Sequence, residues 1–187
     1  MERTDYFYFI IDVSGSMSGR KIGSVNDSLN NIIYRLKRFA GKESLTVKVI
    51  VMTYAGEPKW SNSIPEDIIN YSFTDVFLEG EQSNLGRALE ELNQKLTRQG
   101  ITDKEQGRST TVVLFTDGLS TDDLQNSVNE LNKNPVYVNS TRIGVTFDED
   151  LSLDIAEKNL KLLINKDENL VVDNFVKLNK MLFEKYK

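Results

Sequence analysis

The sequence has no cysteine. Disulfides, zinc–thiolate sites, cysteine-bound iron–sulfur clusters and thiol catalysis are therefore excluded. It has no histidine either, which removes the Ser-His-Asp triad, imidazole metal ligands and the usual general base near neutral pH. Proline is scarce, at three residues, and glycine modest, at eleven, so little of the chain reads as linker. The N-terminal apolar run, residues 6–11, is too short for a signal-peptide core or a membrane span. Positive charge is in deficit, with a formal net charge of −5. A chain of that sign is a poor partner for nucleic acid or for an anionic membrane surface. A cytoplasmic location fits these features. The chemistry left open is that of side-chain oxygens.

At 187 residues the chain reads as one domain, 1–187, with ordinary apolar and charged fractions. Short runs rich in β-branched and aromatic residues predict strands over 6–11, 45–54, 110–115 and 136–145. The first and third are almost continuously apolar, as in strands covered on both faces. Apolar spacing near 3.6 predicts a helix over 19–39 through Ile22, Val25, Leu29, Ile32, Ile33, Leu36 and Phe39, with Gly41 as its left-handed stop. A second helix is expected over 84–99, stopped by Gly100, and a third after Asp117-Gly118 with Ser120 or Thr121 as N-cap. A weaker helix over 148–158 turns Leu151 and Ile155 inward, and a last one starts near Asp173 and buries Phe175, Leu178 and Leu182. Residues 70–78 and 103–109 read as loops. Strands alternating with helices imply an α/β fold, a doubly wound and mostly parallel central sheet with helices on both faces.

Residues 10–19 read Ile-Ile-Asp-Val-Ser-Gly-Ser-Met-Ser-Gly. An apolar strand ends on Asp12, and Ser14 and Ser16 follow at alternate positions on a glycine-containing turn. Oxygens converging in this way suit a hard cation such as Mg²⁺. A second acid, Asp117, ends the 110–115 strand. Ligands in doubly wound folds bind where strands deliver their C-terminal ends and strand order reverses, so the two acids are candidates for one site.

Asp12-Val13-Ser14-Gly15-Ser16-Met17, together with Leu114-Phe115-Thr116-Asp117-Gly118, resembles the metal-ion-dependent adhesion site of von Willebrand factor type A domains. The likeness extends over essentially the whole chain, and the single-domain bacterial proteins of the tellurite-resistance, TerY-like group are the nearest in pattern. Residues 83–89, Ser-Asn-Leu-Gly-Arg-Ala-Leu, align with a segment that opens on a metal-binding threonine in those relatives. Here Gly80-Glu81-Gln82-Ser83 replaces the usual Gly-Gly-Thr. Ser83 keeps the hydroxyl and loses the methyl that helps fix the rotamer, while Glu81 is an extra acid beside the site.

The resemblance implies that Ser14, Ser16 and Ser83 supply hydroxyl ligands and that Asp12 and Asp117 contribute charge, directly or through water, to Mg²⁺ or Mn²⁺. A remaining position would take water or an Asp or Glu of a partner protein. The implied function is metal-dependent protein binding, without catalysis, in a bacterial stress or tellurite-resistance type of system. A metal-assisted phosphoesterase or phosphoryl-transfer enzyme is the alternative, weakened by the missing histidine and the missing phosphate-binding glycine loop. A scaffold with a degenerate site is a third reading, motivated by Ser83 and Glu81.

Other residues near this end have plainer readings. Asp122 and Asp123 are expected to complement a helix dipole, and Ser18 to cap the first helix. Thr53, Tyr54, Trp60 and Tyr71 are placed on loops around the metal end, Trp60 as either an interface anchor or a cover for the core edge. Arg20, Lys21 and Arg87 read as surface charges that steer an acidic group. Arg35, Lys37 and Arg38 suit a helix C-terminus.

Overall fold

The computed structural model describes residues 3–41, 45–99, 108–147 and 153–186. Its centre is strand β1, Arg3–Asp12, whose Phe7, Phe9 and Ile11 face one layer of helices while Tyr8 and Ile10 face the other. That alternation is why the run is apolar throughout. Parallel to β1 lie β2, Leu45–Tyr54, on one side and β5, Arg108–Phe115, on the other. Two short antiparallel strands, β3 (Lys59–Trp60) and β4 (Glu66–Asp67), cover the outer edge of β2. Beyond β5 the sheet continues in parallel with β6, Thr141–Thr146, and β7, Leu170–Val172. Strand order is β3-β2-β1-β5-β6-β7, with β4 also on β2.

Helix α1, Arg20–Ala40, packs Val25, Leu29, Ile32 and Leu36 against one face, where the C-terminal helix α6, Phe175–Phe183, adds Leu178 and Leu182. Each such fully buried aliphatic side chain contributes about 1.5–3 kcal/mol. On the opposite face α2 (Leu85–Gln99) buries Leu85, Ala88, Leu89, Leu92 and Leu96. Beside it lie α3 (Leu124–Leu131), α4 (Pro135–Val138) and α5 (Leu153–Lys161). The expected doubly wound, mostly parallel sheet with helices on both faces is what the chain forms.

Several local expectations are corrected. Residues 136–138 are helical, because Pro135 presets the first turn of α4 and the Asn134 side chain accepts from the amides of Val136 and Tyr137. The strand begins only at Thr141. Helix α3 is capped by Asp123, whose carboxylate accepts from Gln125 and Asn126, and not by Ser120 or Thr121. The N-cap of α1 is Gly19, with no side-chain capping bond, and not Ser18. Gly41 ends α1 with φ −75°, in the right-handed region, so it is not a left-handed stop. Ile155 is 53% exposed; Ala156 and Leu160 make the inner face of α5. Phe175 is half-buried, packed against the core. Residues 70–78 are the expected loop, whereas Arg108 and Ser109 already belong to β5. Residues 103–107, Gly100 and Leu151 lie outside the described residues.

Candidate metal centre

In this sheet β1 leads to β2 on one side and, after α2, to β5 on the other. The carboxyl ends of β1 and β5 therefore flank the point where strand order reverses, the usual ligand crevice of such a fold. The register pairs Asp12 with Tyr54 and Ile11 with Phe115, so Thr116 and Asp117 emerge beside Asp12.

Three loops meet there. In the first, the Ser14 amide donates to Asp12 Oδ1 at 2.9 Å, and a 3-10 turn over Gly15–Met17 drops Met17 into the core. That turn sets Ser14 Oγ 3.1 Å from Ser16 Oγ. The second loop is tied to the first by the Glu79 amide, which donates to the Val13 carbonyl at 2.9 Å, and by a parallel bridge between Gly80 and Ser14. It delivers Ser83, whose Oγ lies 3.0 Å from Asp12 Oδ2 and 2.8 Å from the Leu119 carbonyl, with its hydrogen shared between them. The third loop brings Thr116, which donates to Asp12 Oδ2 at 2.8 Å and accepts from the Gly118 amide at 2.9 Å. The Thr121 amide donates to the Ser83 carbonyl at 2.7 Å and closes the circuit.

Asp12 is the hub. Its carboxylate is fully buried, and Tyr54 adds another hydroxyl donor at 3.2 Å. Burial pushes the Asp12 carboxyl above its ordinary value, the hydrogen bonds from Ser14 and Thr116 pull it back, and the nearby charge of Asp117 raises it again. Burial, then the charge of Asp12, holds the Tyr54 phenol well above its usual range.

Asp117 is buried, and it reaches the first loop through Lys21. The Lys21 ammonium donates to the Ser16 carbonyl at 2.9 Å and pairs with Asp117 Oδ2 at 3.4 Å. Gly118 shapes this corner: its φ is +77°, and a Cβ there would lie 2.2 Å from the Ala156 Cα of α5. Asp122 accepts from the amides of Gly86 and Arg87 at 2.9 and 2.8 Å, capping α2 from outside the helix. It therefore complements the dipole of α2 and not that of α3, the helix for which the sequence predicts it.

The structure brings Asp12, Ser14, Ser16, Ser83 and Asp117 into one cluster. All but Ser16, which is exposed, are buried. Glu81 is at the rim with its carboxylate over Gly15, where a Cβ would be only 2.8 Å from Glu81 Oε2. Tyr54 and Tyr71 are buried, and Trp60 is half-buried against Tyr8 and under Lys95, at the edge of the core. Of the supposed steering charges, Arg20 pairs with Asp173 and Arg87 with Glu57, while Lys21 turns inward. The sequence places Tyr54 near the metal end and Lys21 among the charges beside it, but it gives neither of them, nor Thr116, a contact with the two acids, which the fold supplies. Thr116 had the clearest signal, a hydroxyl one residue past a strand end and next to a candidate acid.

The donor set fits a hard divalent ion. Among the described residues no group of three or more His, Cys, Asp or Glu side chains is placed to hold a metal ion, so a metal here would rely on two acids and hydroxyls. The 3.1 Å between the Ser14 and Ser16 oxygens matches the ~3.0 Å separating adjacent ligands in an octahedral shell of ~2.1 Å bonds.

The profile of the von Willebrand factor type A domain matches residues 7–181. The chain belongs to that family. Domains of this family commonly mediate metal-dependent protein interactions and are typically interaction modules rather than enzymes. The fold is similar to that of the pilus adhesin SpaC from Lactobacillus rhamnosus GG, with a TM-score of 0.69 at 14% identity over 100% of this chain and 30% of the adhesin. It is also similar to the ArnB paralog VWA2 from Sulfolobus acidocaldarius, with a TM-score of 0.56, 17% identity, and coverage of 96% and 44%. Proximal thread matrix protein 1 from the mussel byssus, in a structure with a zinc-occupied metal-ion-dependent adhesion site, gives a TM-score of 0.59, 16% identity, and coverage of 99% and 45%. This chain thus spans less than half the length of each of these proteins. A search of curated proteins by sequence returned no match. Among the described residues of this von Willebrand factor type A domain, no helix is long and apolar enough to cross a membrane.

Proposed function

We propose that this domain binds a divalent cation, Mg²⁺ or Mn²⁺, through Ser14, Ser16, Ser83, Asp12 and Asp117, and that it captures an Asp or Glu side chain of a partner protein there. The observation that carries the reading is the buried Asp12 carboxylate, which gathers the hydroxyls of Ser83 and Thr116 from two loops and that of Tyr54 from the end of β2. When bound, the ion supplies a Lewis-acidic attachment point for a carboxylate. The protein's part is to hold the ligand oxygens still. Thr116 and Tyr54 keep Asp12 Oδ2 in place, the Ser14 amide holds Oδ1, and the Leu119 carbonyl orients the Ser83 hydroxyl. With two acids only, the site stays electron-poor and receptive to another carboxylate. The zinc-occupied adhesion site of the mussel protein supports the same reading.

The surface beside the site suits a protein partner. Phe77 is 75% exposed and Leu78 is exposed as well, just before Glu79, whose amide is bonded to Val13. Their loop is pinned, because the Asn26 side chain both donates to the Val76 carbonyl at 3.0 Å and accepts from its amide at 2.9 Å. An exposed aromatic on a fixed loop is a usable interface anchor. The tellurite-resistance type of system is where the partner is to be sought, on the motif likeness alone.

The test is thermal unfolding with MnCl₂, MgCl₂ or EDTA, in the parent and in Ser16→Ala, whose side chain is exposed and outside the Asp12 hub. Metal that binds only the folded state adds about 2.7 kcal/mol at a hundredfold excess over its dissociation constant. We expect a metal-dependent rise in the parent, reversed by EDTA and reduced in Ser16→Ala. A parent midpoint that does not move in saturating metal refutes the reading.

A further inference from the structure

Lys21 has no assigned part in the proposed site. It occupies the first turn of α1, and it is 7% exposed. A lysine normally runs its stem along the surface and leaves the ammonium in water. Arg20, its neighbour, does so: its guanidinium is exposed and pairs with Asp173 across the surface. Lys21 instead turns inward. Its ammonium donates to the Ser16 carbonyl, in the loop that also presents the Ser14 and Ser16 hydroxyls, and pairs with the buried Asp117.

Burying a charge is unfavourable unless a partner compensates it. Asp12 and Asp117 are both buried and close enough for the charge of one to act on the other. Asp12 receives its compensation from hydroxyls and an amide. Asp117 accepts from the Leu119 amide at a long 3.3 Å and from Lys21. The ammonium is thus the nearby positive charge that offsets Asp117 before any metal arrives. The same charge repels a divalent ion brought to the same acid.

We infer that Lys21 is a tethered counter-cation: it holds buried Asp117 against the Asp12–Ser16 loop in the metal-free protein, and it lowers the affinity of the site for divalent metal. It is a positioning residue, not a ligand. The inference rests on the metal reading above. Its consequence is a domain that stays folded without metal and binds the ion weakly enough to exchange it.

The test pairs two measurements whose expected changes have opposite sign. Lys21→Met and Lys21→Gln both remove the charge, and Gln keeps a donor for the Ser16 carbonyl. In EDTA both variants melt below the parent. In calorimetric titration with MnCl₂ both bind about tenfold tighter than the parent, so saturating Mn²⁺ closes most of the gap in melting temperature. A lysine of merely structural value lowers the melting temperature and leaves metal affinity unchanged or weaker. If the parent binds Mn²⁺ and neither variant binds it tighter, the counter-cation role is wrong while the metal site stands. If the parent itself shows no Mn²⁺ binding, both ideas fall. Should Lys21→Met fail to fold, Lys21→Gln decides alone.

Discussion

Replacing Thr116 by valine tests whether Asp12 is held as the geometry says. Thr116 follows β5, is fully buried, donates to Asp12 Oδ2 at 2.8 Å and accepts from the Gly118 amide at 2.9 Å. Valine keeps the shape and the branched Cβ and deletes only the hydroxyl. The carboxylate then loses a donor, and a hydrogen bond to a charged group is worth about 1.5–3 kcal/mol. The Gly118 amide loses its acceptor while staying buried, a penalty of about 1–3 kcal/mol. The loops relax and the two effects share one site, so the expected loss is about 2–4 kcal/mol. For a chain of this size that lowers Tm by about 5–15 °C, at about 2–4 °C per kcal/mol. The assay is urea denaturation in EDTA, followed by Trp60 fluorescence and far-UV circular dichroism, with the slope checked for constancy. Thr116→Ser retains the hydroxyl and should lose no more than about 1.5 kcal/mol, the range of a single buried methyl. A Thr116→Val protein within about 0.5 kcal/mol of the parent, or equal to Thr116→Ser, would show that the hydroxyl does not anchor Asp12.

Gly118→Ala is expected to lose about 2–5 kcal/mol, because a left-handed φ costs about 1–2 kcal/mol for a residue with a Cβ and overpacking against Ala156 costs about 1–3 kcal/mol; parental stability in urea would contradict the close approach. Asp122→Ala removes the cap on α2 and should lose about 1 kcal/mol, with faster hydrogen exchange at the Gly86 and Arg87 amides as the local readout. Burial holds the phenols of Tyr8, Tyr54 and Tyr186 above their ordinary pKa. Their unfolded value is about 10, so the stability they contribute is fully present below about pH 10 and is lost as pH rises beyond it, where the unfolded chain sheds protons first. Urea midpoints should fall between about pH 9 and about pH 11, with tyrosinate absorbance from these residues appearing only on unfolding.

The layered α/β architecture was legible because long buried strands and amphipathic helices write their periods into the residues. The 6–11 run lies within β1, residues 45–54 are β2, and the 19–39 pattern became α1 within a residue at each end. Short elements were not legible. Residues in β3, β4 and β7 are two or three long, too few to show alternation, and they exist because a neighbouring strand offers them a ladder. Residues 136–138 look like a strand by composition, and local capping by Asn134 and Pro135 overrides that preference.

By itself the sequence determined what this domain cannot use and which oxygens it can. With no cysteine or histidine, a metal centre must draw on acids and hydroxyls, and Asp12, Ser14 and Ser16 are close along the chain because one tight turn presents them. Tertiary structure alone decided how those groups are held. Tyr54, Ser83 and Thr116 converge on Asp12 only because β2 and β5 flank β1 in parallel register and the α2 loop folds back over the same strand end. The inward turn of Lys21 has the same origin: whether an ammonium points to water or to a carboxylate depends on which acid the fold buries beside it, and Asp117 is 96 residues away in the chain.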